Sequence, residues 1–231
     1  TIKYSLLALN YAKDAGDKEE YGRSNNNLGE SYKELGDYSR ALIYYNTAQS
    51  VSIEMESKFG NAVCMLNIGD VYYLTGDQSK ALSYFKKSLA LFQSLEMDYE
   101  IKIVYVKIAK LYSAKKQFIK SESWLKKALQ DIEVINKIKF ERELYSEFED
   151  LYQKQIMYKQ ALYYAKKKNA LDATIKKNQI QEKLSALSAK NDNVERENKI
   201  ELLQKQLDLN STWTYVSSVI FILLIIVLLI I

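Results

Sequence analysis

Side chains that usually carry enzyme chemistry are scarce in this sequence. Its 231 residues include no His, and Cys64 is the only Cys. The missing His removes the commonest general base and metal ligand, and one Cys permits neither an intrachain disulfide nor a thiolate zinc cluster. Asp and Glu are plentiful, but no glycine-rich phosphate loop accompanies them. We therefore predict no enzyme here, with no catalytic residues, no cofactor and no metal site, and we expect Cys64 to be a buried apolar residue.

Two asparagines have a spacing that could serve binding instead. Asn27 and Asn67 lie 40 residues apart, and each precedes an aliphatic residue followed by a glycine. A side-chain amide offers both a donor and an acceptor, so it can hydrogen-bond a polypeptide backbone whatever the sequence of that polypeptide. A solvated helix face is the alternative interpretation. Which one applies depends on the elements that position these residues.

Those elements are predicted to be long helices in a repeated arrangement. Proline is absent and glycine occurs only 7 times, so the residues that break helices are rare. Four segments align without gaps at a spacing of 40: LGESYKELGDYSRALIYYNTA (28–48), IGDVYYLTGDQSKALSYFKKS (68–88), IAKLYSAKKQFIKSESWLKKA (108–128) and FEDLYQKQIMYKQALYYAKKK (148–168). A fixed period of this length is the signature of a repeat architecture.

Residues 40 apart form columns, and the columns predict how the helices pack. A core stripe on the first helix of each pair would contain Leu28, Ile68, Ile108 and Phe148, with Tyr32, Tyr72, Tyr112 and Tyr152 four residues later. Small residues recur where two helices must approach closely, at Gly29, Gly69 and Ala109 and at Ala41, Ala81, Ser121 and Ala161. Larger residues beside them, Tyr45, Phe85 and Leu125, would fill the remaining gap. The turns Gly36-Asp37 and Gly76-Asp77 would end the first helix in the left-handed region.

This pattern resembles a tetratricopeptide repeat (TPR) array over residues 1–168. The third and fourth repeats lack the turn glycine, carrying Lys116 and Ile156 there, the fourth has Glu149 in a small-residue column, and none has the usual closing proline. Residues 1–13 fit the same frame as an orphan second helix, which predicts further sequence upstream. The expected fold is all-α: a TPR α-solenoid of about four repeats plus this orphan helix.

The resemblance also implies a function. TPR arrays with a 40-residue period are similar to those of peptide-binding bacterial regulators and kinesin light chains, which implies a peptide or protein partner held in a groove lined by the first helix of each pair. Asparagines placed like Asn27 and Asn67 hold extended peptides in such arrays. The residues expected to face this groove are Asn27, Glu30, Lys33, Asn67, Asp70, Tyr73, Lys107, Lys110, Asp150 and Gln153.

A helical stalk is predicted over residues 169–210. Ile180, Leu184, Leu187 and Val194 follow heptad spacing with Asn191 in the skipped position, and Ile200, Leu203 and Leu207 resume the seam after a slip of one residue. This spacing is typical of a coiled coil and favours a homodimer through the stalk. The alternative is a solitary helix that packs back on the array.

The last segment, 211–231, is predicted to be a single transmembrane helix with the lipid bilayer as partner. Between Trp213 and Ile231, 16 of 19 residues are apolar and none is charged, which suits a membrane span. The 20 residues before Trp213 contain three cations and four acids, so this flank reads as non-cytoplasmic. We therefore expect a single-pass membrane protein, in the inner membrane if bacterial, with a periplasmic TPR region.

The order of parts resembles the N-terminal sensory half of membrane histidine kinases or helix-turn-helix regulators of the Bacteroidetes type. It implies the input region of a signalling receptor, and the first residue, Thr1, suggests a fragment or a processed product. The alternative is a tail-anchored TPR scaffold that faces the cytosol. The net charge of +4 comes from intermixed charges, so no nucleic-acid partner is predicted.

Overall fold

The computed structural model describes residues 2–130 and 137–230, and nearly all of them are helical. The side chains of residues 137, 189, 191–194, 207, 214 and 218–230 are outside the described set. The helices in the described part are α1 (Ile2–Ala15), α2 (Lys18–Glu34), α3 (Tyr38–Glu54), α4 (Lys58–Leu74), α5 (Gln78–Ser94), α6 (Asp98–Ala114), α7 (Phe118–Leu129), α8 (Lys137–Lys154) and α9 (Tyr158–Ile230). Thr1–Asp172 and Ala173–Ile231 are separate compact units.

The helices of the first unit follow a 20-residue rhythm that is set by their turns. One residue in each described turn has a positive φ between 53° and 86°, at Gly16, Gly36, Glu56, Gly76, Glu96, Lys116 and Ile156. In the first of these turns the Gly16 N–H donates to the Lys13 carbonyl and the Asp17 N–H to the Ala12 carbonyl, as in a Schellman motif. The turns without glycine therefore keep the left-handed conformation, although an L side chain is strained there.

Side-chain caps distinguish the first half of this unit from the second. The residue before each of α2 to α5 accepts a hydrogen bond from the backbone N–H three positions on, at Asp17, Asp37, Ser57 and Asp77. Met97 and Gln117, before α6 and α7, make no such bond. An N-cap satisfies a backbone donor that would otherwise lack a partner. The local sequence therefore specifies the starts of α2 to α5 more strongly than those of α6 and α7.

The predicted close approach of paired helices is confirmed. A Cβ on Gly29 would lie 2.6 Å from the ring of Tyr45, and one on Gly69 would lie 2.7 Å from the ring of Phe85. Both rings are fully buried, as is Leu125 beside Ala109. The fourth pair carries Glu149 in the small-residue column, and the column of Tyr45, Phe85 and Leu125 continues there as Ala165. In the fourth pair the larger residue Glu149 in one column is thus accompanied by the smaller residue Ala165 in the other.

The tyrosine column is also confirmed as part of the packing. Tyr32 stacks on Tyr44 with ring centroids 5.3 Å apart, and the pairs Tyr72–Tyr84 and Tyr152–Tyr164 repeat this contact at 5.5 Å and 5.6 Å. In the first three helix pairs a cation lies over the ring of the column tyrosine: Arg40 over Tyr32, Lys80 over Tyr72 and Lys120 over Tyr112. These contacts tie the first helix of a pair to the second.

The prediction of a transmembrane helix at 211–231 is wrong for the part of the chain that the structure describes. No helix among those residues offers a stretch that is both long enough and apolar enough to cross a membrane. The described residues of α9 carry charged side chains up to Asp208, which interrupt the apolar positions. Residues 218–231, which hold most of the predicted span, have no described side chains.

The stalk residues lie within α9, as expected for a helix. Ile180, Leu184, Leu187, Ile200 and Leu203 are all exposed in the single chain. Asn191, Val194 and Leu207 lie outside the described side chains. The coiled-coil homodimer therefore stays a prediction.

Candidate functional site

The residues expected to line a groove lie on α2, α4, α6 and α8, the first helices of the four pairs. They fall into three columns: Asn27, Asn67 and Lys107; Glu30, Asp70, Lys110 and Asp150; Lys33, Tyr73 and Gln153. Within a helix these columns are three residues apart, so they share one side of it. We call the side of α2, α4, α6 and α8 that carries these ten residues the groove face.

Ion pairs join neighbouring helices across the groove face. The Lys107 Nζ atom lies 2.7 Å from Asp70 Oδ2, and Lys110 Nζ lies 2.9 Å from Glu147 Oε1. Glu147 lies 40 residues after Lys107 and so belongs to the first column. In both ion pairs, therefore, a first-column residue contacts a second-column residue on the first helix of the preceding repeat. Burial is the largest effect and alone would lower the pKa of Lys110. The hydrogen bond to Glu147 and the negative charges of Glu147 and Glu143 together outweigh burial and raise that pKa above its ordinary value.

Glu30 is the centre of a local network on α2. Its Oε2 atom accepts hydrogen bonds from Lys33 Nζ at 2.7 Å and from the Tyr45 hydroxyl at 2.8 Å. Burial, the largest single effect, would raise the pKa of Glu30, yet the two hydrogen bonds and the charges of Lys33 and Lys107 together hold it below its ordinary value. Burial, and then the bond to Glu30, raise the pKa of Tyr45. The second and third pairs have Phe85 and Leu125 at this position, so they lack this link.

The two asparagines of the predicted site have different surroundings. Asn67 Nδ2 donates to Asn26 Oδ1 at 2.9 Å and so links α4 to α2. Asn27 is exposed, because among the described residues no first helix precedes α2 to supply the equivalent partner. Asn26 was missed by sequence reasoning. Its spacing of four and seven residues from Glu30 and Lys33 places it on the same helix stripe and could have revealed it.

Five predicted residues meet around a cavity of about 210 Å³, which we call the charged cavity. It is lined by Lys33, Asp70, Tyr73, Leu74, Phe85, Lys107 and Lys110. Asp150 and Gln153 lie elsewhere: Asp150 pairs with Lys154 at 2.6 Å, and Gln153 donates to Glu149 at 3.3 Å. The structure thus brings five of the eight predicted residues of α2, α4 and α6 around one cavity, and it leaves those of α8 apart.

A larger cavity of about 540 Å³ lies between α2, α3 and α4, and we call it the apolar cavity. Its lining comprises Glu19, Gly22, Arg23, Asn26, Val51, Ser52, Met55, Ser57, Phe59, Gly60, Val63 and Cys64. Sequence reasoning missed it, although Gly22 and Gly60 in helices were a signal of close approach or open space. Cys64 is buried as expected, and burial raises its pKa to about 11 against a smaller opposite effect of Ser52.

The described part of the chain contains no candidate metal site. Within residues 2–130 and 137–230, no group of three or more Cys, Asp or Glu side chains is placed to hold a metal ion. The arrangement offers amides, ammonium groups, carboxylates and an aromatic ring along one face. Such groups can hydrogen-bond a polypeptide and complement its charges.

Family models and solved structures both match the first unit. Two tetratricopeptide repeat models match residues 23–94 and 103–130. No curated protein matches the chain.

Solved structures share the fold at low sequence identity. BtubC (BKLC) from P. vanneervenii is 15% identical, with a TM-score of 0.59 over 69% of this chain and 66% of its own. A putative kinesin light chain with TPR-like repeats from Podosopora anserina is 12% identical, with a TM-score of 0.54 over 75% and 86%. A Rap protein complexed with Competence and Sporulation Factor is 18% identical, with a TM-score of 0.60 over 74% and 50%.

The chain spans just under two thirds of BtubC and half of the Rap protein. The resemblance to sensor halves of membrane kinases stays a prediction. The repeat models identify the family, and the similar structures and the 20-residue spacing of the turns agree with it in fold. The chain carries tetratricopeptide repeats over residues 23–94 and 103–130.

Proposed function

We propose that the first unit binds an extended polypeptide segment along the groove face. Tetratricopeptide repeats form protein-interaction modules, and their fold is typically non-catalytic. The observation that carries the proposal is the charged cavity, where side chains of three successive first helices face one open space. Five of its seven lining residues are polar or charged, so the cavity offers groups that can hydrogen-bond a ligand.

The chemistry of the groove face suits a main chain. The exposed Asn27 amide can donate to a backbone carbonyl and accept from a backbone N–H. Tyr73 is half-buried and can offer its ring to a side chain and its hydroxyl to a carbonyl. Lys33, Lys107 and Lys110 each have one carboxylate partner within the chain, and an ammonium group has three donors, so capacity remains for a ligand acceptor.

A structural neighbour supports the proposal by analogy of fold. The Rap protein has a comparable array and is complexed with Competence and Sporulation Factor. At 18% identity this likeness concerns the fold. It supports the idea that an array of this kind can hold a ligand, and the residues that would do so here are those of this chain's own groove face.

The test begins with selection from a random twelve-residue peptide library displayed on phage, using the full chain as bait. A selected peptide is then synthesised and titrated by calorimetry against the wild type and Asn27→Ala. We expect Asn27→Ala to weaken binding about tenfold, or ~1.4 kcal/mol. Asn46→Ala is the matched control, because Asn46 lies on α3 and donates to the Leu42 carbonyl. Equal affinity in all three proteins would reject the groove face, as would a library that yields no binder.

We further propose that α9 pairs two copies of the chain and that the whole serves as the input region of a signalling protein. The pairing is supported by heptad residues of α9 that are exposed in the single chain. The sensory role is supported only by the order of a repeat array followed by a long helix. Sedimentation of the full chain with and without a selected peptide tests both, since a sensor requires the ligand to change the assembly or its shape.

A further inference from the structure

We propose that the apolar cavity between α2, α3 and α4 is an anchor pocket for one aromatic side chain of the bound segment, with a basic residue beside it. This inference rests on the proposed function and specifies the chemistry of the partner. The cavity belongs to one end of the groove face, because Asn26 lines it while its partner Asn67 lies between it and Asp70 along α4.

The first step is the origin of the cavity. Ser52 and Gly60 lie side by side, since a Cβ on Gly60 would be 2.6 Å from Ser52 Oγ. Forty residues after Ser52 the chain carries Phe92, whose ring is fully buried and 6.0 Å from the ring of Phe59. The corresponding place between the first and second helix pairs, where the chain carries Ser52, therefore lacks one aromatic ring.

The column of Gly60 leads to the same conclusion. Eighty residues later it contains Phe140, which is buried and lies 5.8 Å from the ring of Tyr99. Tyr99 lies 40 residues after Phe59, in the same column. The contact between Tyr99 and Phe140 therefore occupies the equivalent place between the third and fourth helix pairs. Twice, then, this chain fills the space in question with a phenylalanine of its own, whereas the first interval leaves it open.

The lining of the cavity suits an aromatic ring. Val51, Met55, Phe59 and Val63 supply apolar surface. The Phe59 and Met55 side chains are 44% and 41% exposed, so they can contact a ligand without rearrangement. Aromatic rings prefer edge-to-face contacts, and thioethers pack favourably on ring edges. A volume of about 540 Å³ exceeds one ring and lies within the range of ligand pockets.

The charges around the cavity favour a basic neighbour. Residues 17–23, at the start of α2, and 54–58, from the end of α3 to the start of α4, contain five acids and three bases, of which Glu19 and Arg23 line the cavity. Lys18 is paired with Glu54, and Arg23 with Glu19 and Glu20. The surplus is therefore acidic, and a Lys or Arg next to the aromatic residue would complement it.

The experiment uses two dipeptide probes, N-acetyl-Phe-Arg-amide and N-acetyl-Phe-Glu-amide, with the full chain labelled with ¹³C at its methionine methyls. Met55 lines the cavity, and Met157 lies in the turn before α9 and serves as the internal control. We expect the arginine probe to shift the Met55 signal but not the Met157 signal, with an affinity at least threefold higher than that of the glutamate probe. A Met55 signal that neither probe moves would overturn the proposal, and equal affinities would overturn the basic neighbour.

Variants test the pocket on the selected peptides as well. Ser52→Phe places in the cavity the residue that Phe92 provides later, and Ser50→Phe is the matched control on the same helix. We expect Ser52→Phe to remove the Met55 shift and to weaken the selected peptides at least tenfold, and Ser50→Phe to do neither. Both variants are first melted to verify folding, and if Ser52→Phe does not fold the Met55 titration decides.

The outcome separates this inference from the proposed function. Peptides that bind the wild type and a folded Ser52→Phe equally well would refute the anchor pocket and leave polypeptide binding intact. A Met55 shift in a protein that selects no peptide would support the pocket and reject the groove as a polypeptide site.

Discussion

Lys107 on α6 and Asp70 on α4 are 37 residues apart and form an ion pair of 2.7 Å. Lys110 and Glu147 repeat the same separation one pair further on, with the signs reversed. The separation is one repeat less three residues, so a residue of one column meets a neighbour of the next column on the adjacent helix. The groove face is therefore held in place by its own charges as well as by the core.

Removing the cation of the first ion pair should destabilise the protein. Lys107→Met retains the apolar stem but leaves the largely buried Asp70 carboxylate without its partner, which we expect to lower the free energy of unfolding by about 1–3 kcal/mol. Lys154→Met is the control, because its pair with Asp150 is half exposed on both sides and should change by less than about 0.5 kcal/mol. Urea denaturation of both variants measures this, and equal effects would contradict it.

The Glu30 network should make stability depend on acid pH. Its pKa is lowered in the folded state because the bonds from Lys33 and Tyr45, together with the charges of Lys33 and Lys107, outweigh burial. The stabilisation is thus present above the ordinary pKa of about 4.3 and disappears as the pH falls through the lower folded value. Melting temperatures of the wild type and Glu30→Gln should differ at pH 7 and converge near pH 3. A difference that grows on acidification would refute this sign.

The close approach of α4 and α5 should not tolerate a methyl group. Gly69→Ala would place its Cβ 2.7 Å from the buried ring of Phe85, and we expect it to lower the free energy of unfolding by about 1–3 kcal/mol although alanine favours helices. Adding Phe85→Leu reproduces the combination of Ala109 with Leu125 in the third pair. The double variant should therefore be more stable than Gly69→Ala. Chemical denaturation decides, and additive losses would contradict the compensation.

The packing of the array could be predicted from the sequence because the contacts within a helix pair recur with the period itself. Comparing residues 40 apart identified the tyrosine column as part of the packing and the small residues beside Tyr45 and Phe85, and the structure confirms both. The stacking partners Tyr44 and Tyr84 were not predicted. The lost turn glycines were noticed as well. That Lys116 and Ile156 would nevertheless adopt a positive φ could not be predicted, because the neighbouring helices impose this conformation against local preference.

The candidate site was only partly predictable, for a geometric reason. Columns compare equivalent residues at a spacing of 40, whereas the contacts between repeats join residues 37 or 41 apart. Glu147 and Asn26 were missed for that reason. The apolar cavity was missed because it arises from small residues on two different helices, Ser52 and Gly60, and a glycine within one helix does not show which residue of another helix lies opposite it.

The predicted homodimer has a direct test in α9. Leu184 lies between Ile180 and Leu187 on the heptad seam and is 61% exposed in the single chain. Leu184→Glu should convert a dimer to a monomer, because a carboxylate in the seam would lose its hydration without a partner. Ser188→Glu, which lies off the seam, should leave the dimer unchanged. Sedimentation velocity of the full chain measures both, and a monomeric wild type would dismiss the pairing.

A single turn residue should make the protein more stable when replaced. Ile156 is β-branched and has a φ of 61°, a conformation that costs an L residue about 1–2 kcal/mol. Ile156→Gly removes this strain but makes the unfolded chain more flexible, so we expect a net gain of about 0.5–1 kcal/mol in the free energy of unfolding. Gly36→Ala, at the equivalent turn with a φ of 77°, should lose about 1 kcal/mol. Urea denaturation compares the two, and a loss in both would mean that the Ile156 side chain contributes contacts that outweigh the backbone strain.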